Sequence, residues 1–345
     1  MHISEFDYEL PEERIAQQPL PQRDASRMLV VDREKKTWAD TFFSSLPDCV
    51  RENDVLVINN TRVFAARLVG QRDPSGGRVE VLLVSQLGPS VWEALVKPGA
   101  RLRRGARLTF GDSRLRADVL DAPGNGLRQL RFEYEGPWEA LLEELGETPL
   151  PPYISRPAGV STVDRDRYQT IFARHRGAIA APTAGLHFTS QIFDRVLARG
   201  CQVTEVTLHV GYGTFEPVRV NDVAQHRVAS EEFELCEKTA NTINAARAGG
   251  GRIIAVGTTT ARALEAAVNS NGQLEPVRTK AALTIVPGYQ FRIIDALLTN
   301  FHLPRSSLLL LVCAFADHDF VLQAYRHAVS EGYRFYSYGD CMLLI

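Results

Sequence analysis

Four turns of the chain place histidine or threonine side chains where a predicted strand ends or a predicted helix begins. They lie within residues 178–190, 201–220, 252–265 and 298–315. At the start of a helix the backbone N–H groups point outward and the helix dipole favours an anion. A histidine close to such amides suits proton transfer, because its ordinary pKa lies near neutral pH. These four turns are therefore the candidate sites for chemistry.

The first turn centres on His187. Residues 178–181 are predicted as an apolar strand and residues 182–185 as a tight turn. A helix is predicted over residues 186–199, with His187 in its first turn and Gly200 as its stop. The apolar face of that helix is predicted to contain Leu186, Ile192, Phe193, Val196 and Leu197. Taken alone, His187 fits a helix cap or a packed core side chain as well as a proton-transfer group.

The second turn follows a strand predicted over residues 202–210. Alternation along that strand places His209 on one face, together with Val203, Glu205 and Thr207. Residues 211–213 (Gly-Tyr-Gly) end the strand, and ligands of open α/β sheets bind outside the carboxyl ends of the strands. The residues expected near a ligand are therefore His209, Tyr212, Thr214 and Phe215.

The third turn begins at Gly257, where a strand predicted over residues 252–256 ends and a helix follows. The hydroxyls of Thr258 and Thr259, with the free amides of a helix start, suit a carboxylate or a phosphate. Arg262 lies one helical turn further and suits a forked pair with a carboxylate. The segment lacks the Gly-x4-Gly-Lys pattern of a P-loop, and an ordinary threonine helix cap would also explain it.

The fourth turn precedes the most apolar helix predicted in the chain, residues 308–316. His302 and Arg305 flank Pro304, and Ser306 or Ser307 is the predicted helix cap. A polar turn with a histidine and an arginine directly before a buried helix again indicates a site that faces an anion.

A metal site is a rival use of the histidines, but their spacing does not support it. His187, His209, His226 and His302 include no i, i+4 pair, and no His-Glu-x-x-His or His-Cys-Cys set occurs. A serine hydrolase is equally unsupported, because the chain has no Gly-x-Ser-x-Gly elbow. We therefore expect no metal.

The elements that must position these turns predict two kinds of structure. Six short strand-like runs separated by Gly, Pro, Asp and Asn predict a small antiparallel β-barrel: residues 62–68, 78–83, 91–97, 106–110, 114–120 and 127–134. Outside them, strands are predicted at residues 27–32, 37–42, 54–60, 178–181, 202–210 and 252–256, with a closing strand at the C-terminus. Helices are predicted at residues 138–145, 164–174, 186–199, 238–248, 259–268, 308–316 and 320–330. This pattern predicts a discontinuous layered α/β body, residues 1–60 and 150–345, with an inserted β-barrel module at residues 61–149.

Charge and composition limit the function classes. The formal net charge is −2, yet residues 62–135 hold thirteen Lys and Arg against eight Asp and Glu. That excess suits a phosphate-contacting surface or solvated outer faces of strands. The five cysteines form no Cys-x-x-Cys pair, which is typical of a reducing cytosol. Residues 1–20 contain no apolar run and residues 308–316 are too few to span a membrane, so we expect a cytoplasmic protein without a membrane partner.

Together these stretches resemble one family, the S-adenosylmethionine:tRNA ribosyltransferase-isomerases of queuosine biosynthesis, over nearly the full length of the chain. The matching strings are residues 59–63 (NNTRV), 150–154 (LPPYI) with Arg156, 181–188 (APTAGLHF), 208–211 (LHVG) with 213–215 (GTF), 256–259 (VGTT) with Arg262, 299–304 (TNFHLP) and 337–340 (SYGD). The family's fold, an α/β body with an inserted β-barrel, agrees with the fold predicted above. One position departs, because this chain has Ala229 where the family pattern has a histidine.

The resemblance implies that S-adenosylmethionine is consumed as a ribosyl donor, so that no cofactor is needed. Its ribose is transferred to a 7-aminomethyl-7-deazaguanine base in tRNA and rearranged to an epoxycyclopentane, releasing adenine and methionine. The implied base and acid are His187, His209 and His302, in an order that stays open. The implied substrate contacts are Gly257, Thr258, Thr259 and Arg262 for the methionine carboxylate, Phe188, Tyr212 and Phe215 for stacking, and Arg305. The implied tRNA contacts are Arg62, Arg67, Arg101, Arg103, Arg104 and Arg107.

Two rival functions remain open. An S-adenosylmethionine-dependent tRNA methyltransferase would release S-adenosylhomocysteine instead of adenine, and the chain lacks a glycine-rich loop after its first strand. A non-catalytic RNA-binding protein fits poorly with the acidic body and the aromatic content of 8%. We expect the protein to act as a monomer.

Overall fold

The computed structural model describes residues 1–124, 126–157, 159–215 and 217–345, without the side chain of Phe215. Two compact units are present, each with its own core. The larger unit contains residues 1–62, 152–155 and 167–345, and the smaller contains residues 63–151 and 156–166. Residues 156–166, which the sequence analysis gave to the α/β body, belong to the smaller unit, where Arg165 donates a hydrogen bond to the Glu143 carbonyl.

Eighteen strands and eight α-helices are present in the described residues. The strands are β1 Arg27–Asp32, β2 Thr37–Phe42, β3 Val55–Asn59, β4 Thr61–Val63, β5 Arg67–Asp73, β6 Arg78–Gly88, β7 Val91–Lys97, β8 Arg107–Phe110, β9 Leu115–Gly124, β10 Leu127–Tyr134, β11 Gly146–Glu147, β12 His175–Ala178, β13 Gln202–Leu208, β14 Glu231–Leu235, β15 Ile253–Val256, β16 Val277–Ala281, β17 Ala296–Asn300 and β18 Cys341–Leu344. The helices are α1 Leu46–Cys49, α2 Trp138–Leu145, α3 Thr162–Arg167, α4 Ser190–Ala198, α5 Glu237–Ala248, α6 Thr258–Ala267, α7 Ser307–Ala316 and α8 His318–Ser330.

The larger unit is built on a nine-stranded sheet in the order β16-β14-β13-β3-β15-β17-β18-β1-β2. Strands β13, β3, β15 and β17 run parallel, and Val55 of β3 is in register with Gln202 on one side and Ile253 on the other. Every residue of β3 is buried, as its continuous apolar sequence predicts. Because parallel strands end at the same edge of a sheet, the second, third and fourth turns leave it side by side.

The smaller unit contains the predicted barrel. Six antiparallel strands follow the order β5-β6-β7-β10-β9-β8, and β8 pairs back with β5 to close the ring. β11 adds to the outside of β5, and β4 pairs with β12 in a separate two-stranded sheet. The α/β body with an antiparallel barrel is therefore confirmed. The single strand predicted over residues 62–68 is divided into two strands, β4 and β5, because residues 64–66 between them form no strand.

The first turn differs from its prediction. Residues 179–181 form no strand, Thr183–His187 is a short 3₁₀-helix, and α4 begins only at Ser190. Thr189 caps α4, because its Oγ1 accepts the N–H of Ile192 at 3.3 Å. His187 therefore lies before the helix and not in its first turn, and Leu197 is 53% exposed instead of facing the core. The helix predicted over residues 164–174 ends at Arg167.

Five strands of the described residues were not predicted, namely β11, β12, β14, β16 and β17; β12 shares only Ala178 with the strand predicted over residues 178–181. β17 reads as part of a polar turn in the sequence, yet Ala296–Asn300 is buried throughout between β15 and β18. No single helix in the described residues has both the length and the hydropathy to cross a membrane; α7 and α8 meet both criteria only as a pair, which is bent by 116°.

Phe188 lies in the core of the larger unit. Its ring is fully buried, stacks on Phe193 with centroids 4.9 Å apart, and meets the edge of Phe43 at 5.0 Å. Leu56, Ile192 and other apolar side chains belong to the same cluster. No face of the ring is open to a ligand, contrary to the stacking role expected from the sequence.

Replacement of Phe188 tests this core role. Because truncation leaves a cavity among closely packed rings, we expect Phe188→Ala to lower the free energy of unfolding by roughly 3–5 kcal/mol. The exposed Leu197 provides the control, and Leu197→Ala should change it by less than about 0.5 kcal/mol. Urea denaturation followed by circular dichroism measures both; equal effects would remove Phe188 from the core.

Candidate active site

A cleft of about 510 Å³ opens where the parallel strands end, and we call it cleft 1. That volume counts all of the empty space of the cleft, including the part open to solvent. Its walls come from all four turns of the sequence analysis: residues 180–184, Val210 with Thr214, residues 257–259, and residues 299–302 without Phe301. The first turn reaches this edge because the N–H of Ile179 donates to the carbonyl of Val210 at 2.9 Å.

The start of α6 supplies hydrogen-bond donors to cleft 1. Gly257 precedes the helix with a φ of 90°, a conformation that favours glycine and lets the chain turn directly from β15 into α6. Thr260 donates its hydroxyl to the carbonyl of Val256, the last residue of β15, at 2.7 Å. The hydroxyl of Thr259 is buried and has no partner among the described residues. A buried hydroxyl and free helix-start amides together suit an anionic ligand group.

His302 is the one predicted catalytic histidine that lines cleft 1 within the described chain. It is 4% exposed, and its Nε2 lies 2.8 Å from the Thr299 hydroxyl. Burial lowers the pKa of His302 to about 3, so that its ring is neutral at neutral pH. Its backbone is fixed as well, because Tyr8 donates a hydrogen bond to its carbonyl. His302 is therefore a neutral hydrogen-bonding group and a poor proton acceptor in this state.

His187 lies behind the cleft wall and joins it through Asn300. The Asn300 amide nitrogen donates to the Tyr336 carbonyl at 2.8 Å, which turns the amide oxygen towards His187 Nε2 at 3.2 Å. Nε2 must therefore carry the proton, and Nδ1 accepts from the Ser26 hydroxyl at 2.8 Å. Burial lowers the pKa of His187 to about 4. Both ring nitrogens have protein partners, so His187 holds Asn300 in place, and its ring lines a separate pocket together with Ser26 and Arg23.

His209 lies in a different pocket of the larger unit. It follows β13, where its Nδ1 lies 2.8 Å from the Thr61 hydroxyl, and its neighbours there include Glu232, Arg278 and Lys280. Burial lowers its pKa. The three histidines expected to share a site are therefore in three separate places.

Arg262 is already bound to a carboxylate of the protein. Its Nη1 lies 2.6 Å from Glu231 Oε2, and both side chains are buried. The other oxygen of Glu231 accepts the N–H of Gly211 at 2.8 Å and the Thr214 hydroxyl at 3.3 Å. Arg262 thus fixes the turn after β13 and is not free to hold a ligand carboxylate. The Ala229 carbonyl accepts from Arg262 at 3.4 Å, a backbone contact that does not depend on the side chain at position 229.

Glu231 was missed by the sequence analysis, although a signal existed. In Glu231–Leu235 the pattern of buried and exposed residues alternates, which places Glu231 on the same buried face as Phe233 and Leu235. A carboxylate in register with apolar core residues needs a charged partner. The contact of Tyr153 with Ser337, whose hydroxyls hydrogen-bond at the rim of cleft 1, was also not predicted.

Among the described side chains, Tyr212 and Arg305 do not line cleft 1. Tyr212 is partly buried at the start of the 3₁₀-turn that carries Thr214, and the side chain of Phe215 is outside the described residues. Arg305 forms an ion pair with Asp7 at the surface. In the described ranges no cluster of three potential metal ligands occurs.

The six arginines predicted to contact tRNA differ in their partners. Arg67 pairs with Glu80 at 3.0 Å and Arg107 with Asp118 at 3.7 Å within the barrel unit. The segment between β7 and β8 contains three further members of the set, Arg101, Arg103 and Arg104. All three are exposed and form no ion pair among the described residues. Arg62, in the larger unit, is also exposed and forms no ion pair in the described part of the chain.

The buried His187 makes stability depend on pH. Its pKa is 6.5 when unperturbed and about 4 in the folded protein, so between these values the unfolded chain takes up a proton that the folded chain does not. Stability is therefore retained above pH 6.5 and falls as the pH is lowered, by about 1.4 kcal/mol per unit from this residue. We expect His187→Gln to reduce the slope of the free energy of unfolding against pH by about 1.4 kcal/mol per pH unit between pH 4.5 and 6. Urea denaturation at several pH values measures it, with exposed His175→Gln as the control; an unchanged slope in His187→Gln would contradict this account.

Comparison with known proteins identifies relatives over the whole chain. A family model described as "Queuosine biosynthesis protein" matches residues 3–344. Proteins named S-adenosylmethionine:tRNA ribosyltransferase-isomerase are 49% identical in Symbiobacterium thermophilum and 47% identical in Halothermothrix orenii, with all of each chain covered. A crystal structure of an S-adenosylmethionine tRNA ribosyltransferase from Thermotoga maritima is 35% identical, with a TM-score of 0.56 over 99% of this chain and 100% of that one. Full-length similarity at these identities assigns the chain to the queuosine biosynthesis protein family.

Proposed function

We propose that this protein transfers the ribosyl group of S-adenosylmethionine to a 7-aminomethyl-7-deazaguanine base in tRNA and isomerises it, releasing adenine and methionine. The observation that carries the proposal is cleft 1, whose walls are the strings that match the family. The relatives are named S-adenosylmethionine:tRNA ribosyltransferase-isomerase, which supports the ribosyl transfer and the isomerisation.

The start of α6 is the place for the methionine carboxylate. Thr258 and Thr259 lie in the first turn of the helix, and the Thr259 hydroxyl lacks a partner in the described part of the chain. A carboxylate there would accept hydrogen bonds from the hydroxyl and from the helix-start amides, and the helix dipole would favour its charge. The guanidinium of Arg262 is withdrawn from this role because Glu231 neutralises it.

The ribose would then lie beside His302 and Asn300, which both line cleft 1. The sulfonium acidifies the neighbouring carbon of the ribose, so that a base of moderate strength removes its proton. A neutral His302 can orient the sugar by hydrogen bonding, and His187 acts through Asn300. S-adenosylmethionine is consumed as a substrate in this scheme, and no metal or further cofactor takes part in it.

Removal of the Thr259 hydroxyl tests the carboxylate site. Because a hydrogen bond to a charged group contributes about 1.5–3 kcal/mol, we expect Thr259→Val to raise the KM for S-adenosylmethionine roughly 10- to 100-fold. Thr260→Val is the matched control, since the Thr260 hydroxyl already donates to the Val256 carbonyl at the end of β15. The assay measures adenine released from S-adenosylmethionine and tRNA that carries the aminomethyl-deazaguanine base. Formation of S-adenosylhomocysteine instead of adenine would favour a methyltransferase. Equal KM values for Thr259→Val and Thr260→Val would mean that the methionine carboxylate does not bind at the Thr259 hydroxyl.

Neutralisation of the barrel arginines tests tRNA binding. Arg103 and Arg104 are exposed and unpaired within the described residues, so each can release counterions from the RNA backbone. We expect Arg103→Ala and Arg104→Ala each to weaken tRNA binding and to reduce the slope of log K against log salt by roughly one. Arg195→Ala, on α4 of the larger unit, is the control. Filter binding at several salt concentrations measures the slopes. Unchanged slopes would mean that Arg103 and Arg104 are ordinary solvated surface residues that do not contact the tRNA backbone.

A further inference from the structure

A second cleft of about 480 Å³ adjoins cleft 1, and we call it cleft 2. Thr214 and Leu308 line both clefts, so the two spaces share a wall. The carboxylate site at the start of α6 belongs to cleft 1. Cleft 2 is thus the neighbouring space for the rest of a small molecule whose carboxylate lies in cleft 1.

The charges around cleft 2 are matched. Arg262 and Glu231 both line it, but they neutralise one another at 2.6 Å. The third titratable group is His226, whose Nε2 lies 2.7 Å from the Ser307 hydroxyl. Burial lowers the pKa of His226, so that the ring is neutral near neutral pH. The described residues that line cleft 2 thus carry no net charge, which favours an uncharged ligand group over a carboxylate or a phosphate.

The shape and polarity of cleft 2 suit a flat ring. Ile285 and Leu311 line the cleft and are almost fully buried, and Ser307 and Thr284 add hydroxyls to the lining. Gly213 and Ala229, which have little or no side chain, also line it. A Cβ added to Gly213 would lie 2.8 Å from the Ala229 Cβ, so any larger residue at position 213 forces one of these two lining positions to shift.

We propose that cleft 2 binds the adenine ring of S-adenosylmethionine and holds it as the leaving group. Adenine is neutral and planar, with donors and acceptors on its edge and apolar faces, which matches an uncharged cleft with hydroxyls beside apolar walls. This inference rests on the proposed function for its ligand, and it assigns to cleft 2 a part of the substrate that cleft 1 does not hold.

Narrowing the cleft tests the proposal, with free adenine and free methionine as product inhibitors. We expect Gly213→Ala to raise the inhibition constant of adenine about tenfold, a loss of about 1.4 kcal/mol, and to leave that of methionine within about twofold. The double variant Gly213→Ala/Ala229→Gly removes the contact and should restore inhibition by adenine. Gly249→Ala is the matched control, because a Cβ there meets only atoms at 3.5 Å or more.

The outcomes separate the two proposals. If the wild-type protein releases no adenine from S-adenosylmethionine and tRNA, the proposed function fails. If it does release adenine but Gly213→Ala leaves the adenine constant unchanged, only the assignment of cleft 2 is overturned. The assignment of cleft 2 to adenine would also be overturned if Gly213→Ala weakened inhibition by free 7-aminomethyl-7-deazaguanine and left inhibition by adenine unchanged. Should Gly213→Ala lower the melting temperature strongly, Ser307→Ala, which removes the hydroxyl beside His226, gives the same test and should weaken inhibition by adenine severalfold.

Discussion

The parallel register of β13, β3, β15 and β17 is the constraint on which the candidate site depends. β3 lies fully buried between β13 and β15, so its neighbours cannot slip without exposing apolar side chains. Because the register is fixed, the turns after β13, β15 and β17 meet at one edge. Residues more than 80 positions apart in sequence, such as Thr214 and His302, thereby line one cleft.

Buried charges and dipoles at this edge are paired with each other instead of with solvent. Glu231 joins Arg262 of α6 to the turn that carries Thr214, and so connects two walls of the cleft through one carboxylate. His187 performs the corresponding task for Asn300 with an uncharged ring. In a low dielectric each of these groups is costly without its partner, and this cost holds the pairs in a single arrangement. The Thr259 hydroxyl, which lacks such a partner in the described residues, is the group left for a ligand.

The predictions from sequence succeeded where the signal was local. The bounds of β1, β2, β7, β10 and α2 agree with their predicted residues, because hydrophobic alternation, helical periodicity and turn residues act over a few positions. Local signals also misled. His187 follows a proline turn and precedes a good helix pattern, so a continuous helix was expected, whereas the Thr189 cap delays α4 to Ser190. β17 was missed because Thr299 and Asn300 are polar, and only strands on both sides make them part of a buried strand.

The sequence by itself determined the family, the α/β body with its inserted barrel, and the four turns that form the cleft. Each of these follows from strings of residues or from short-range periodicity. Only the tertiary structure decided which side chains face the cleft. Phe188 turned inward to the core, Arg262 towards Glu231, and His187 towards Ser26, because a buried side chain is oriented by partners that lie far away in sequence. Spacing along the chain carries no information about those partners, and so residue type alone could not separate the groups that bind a ligand from the groups that hold them in place.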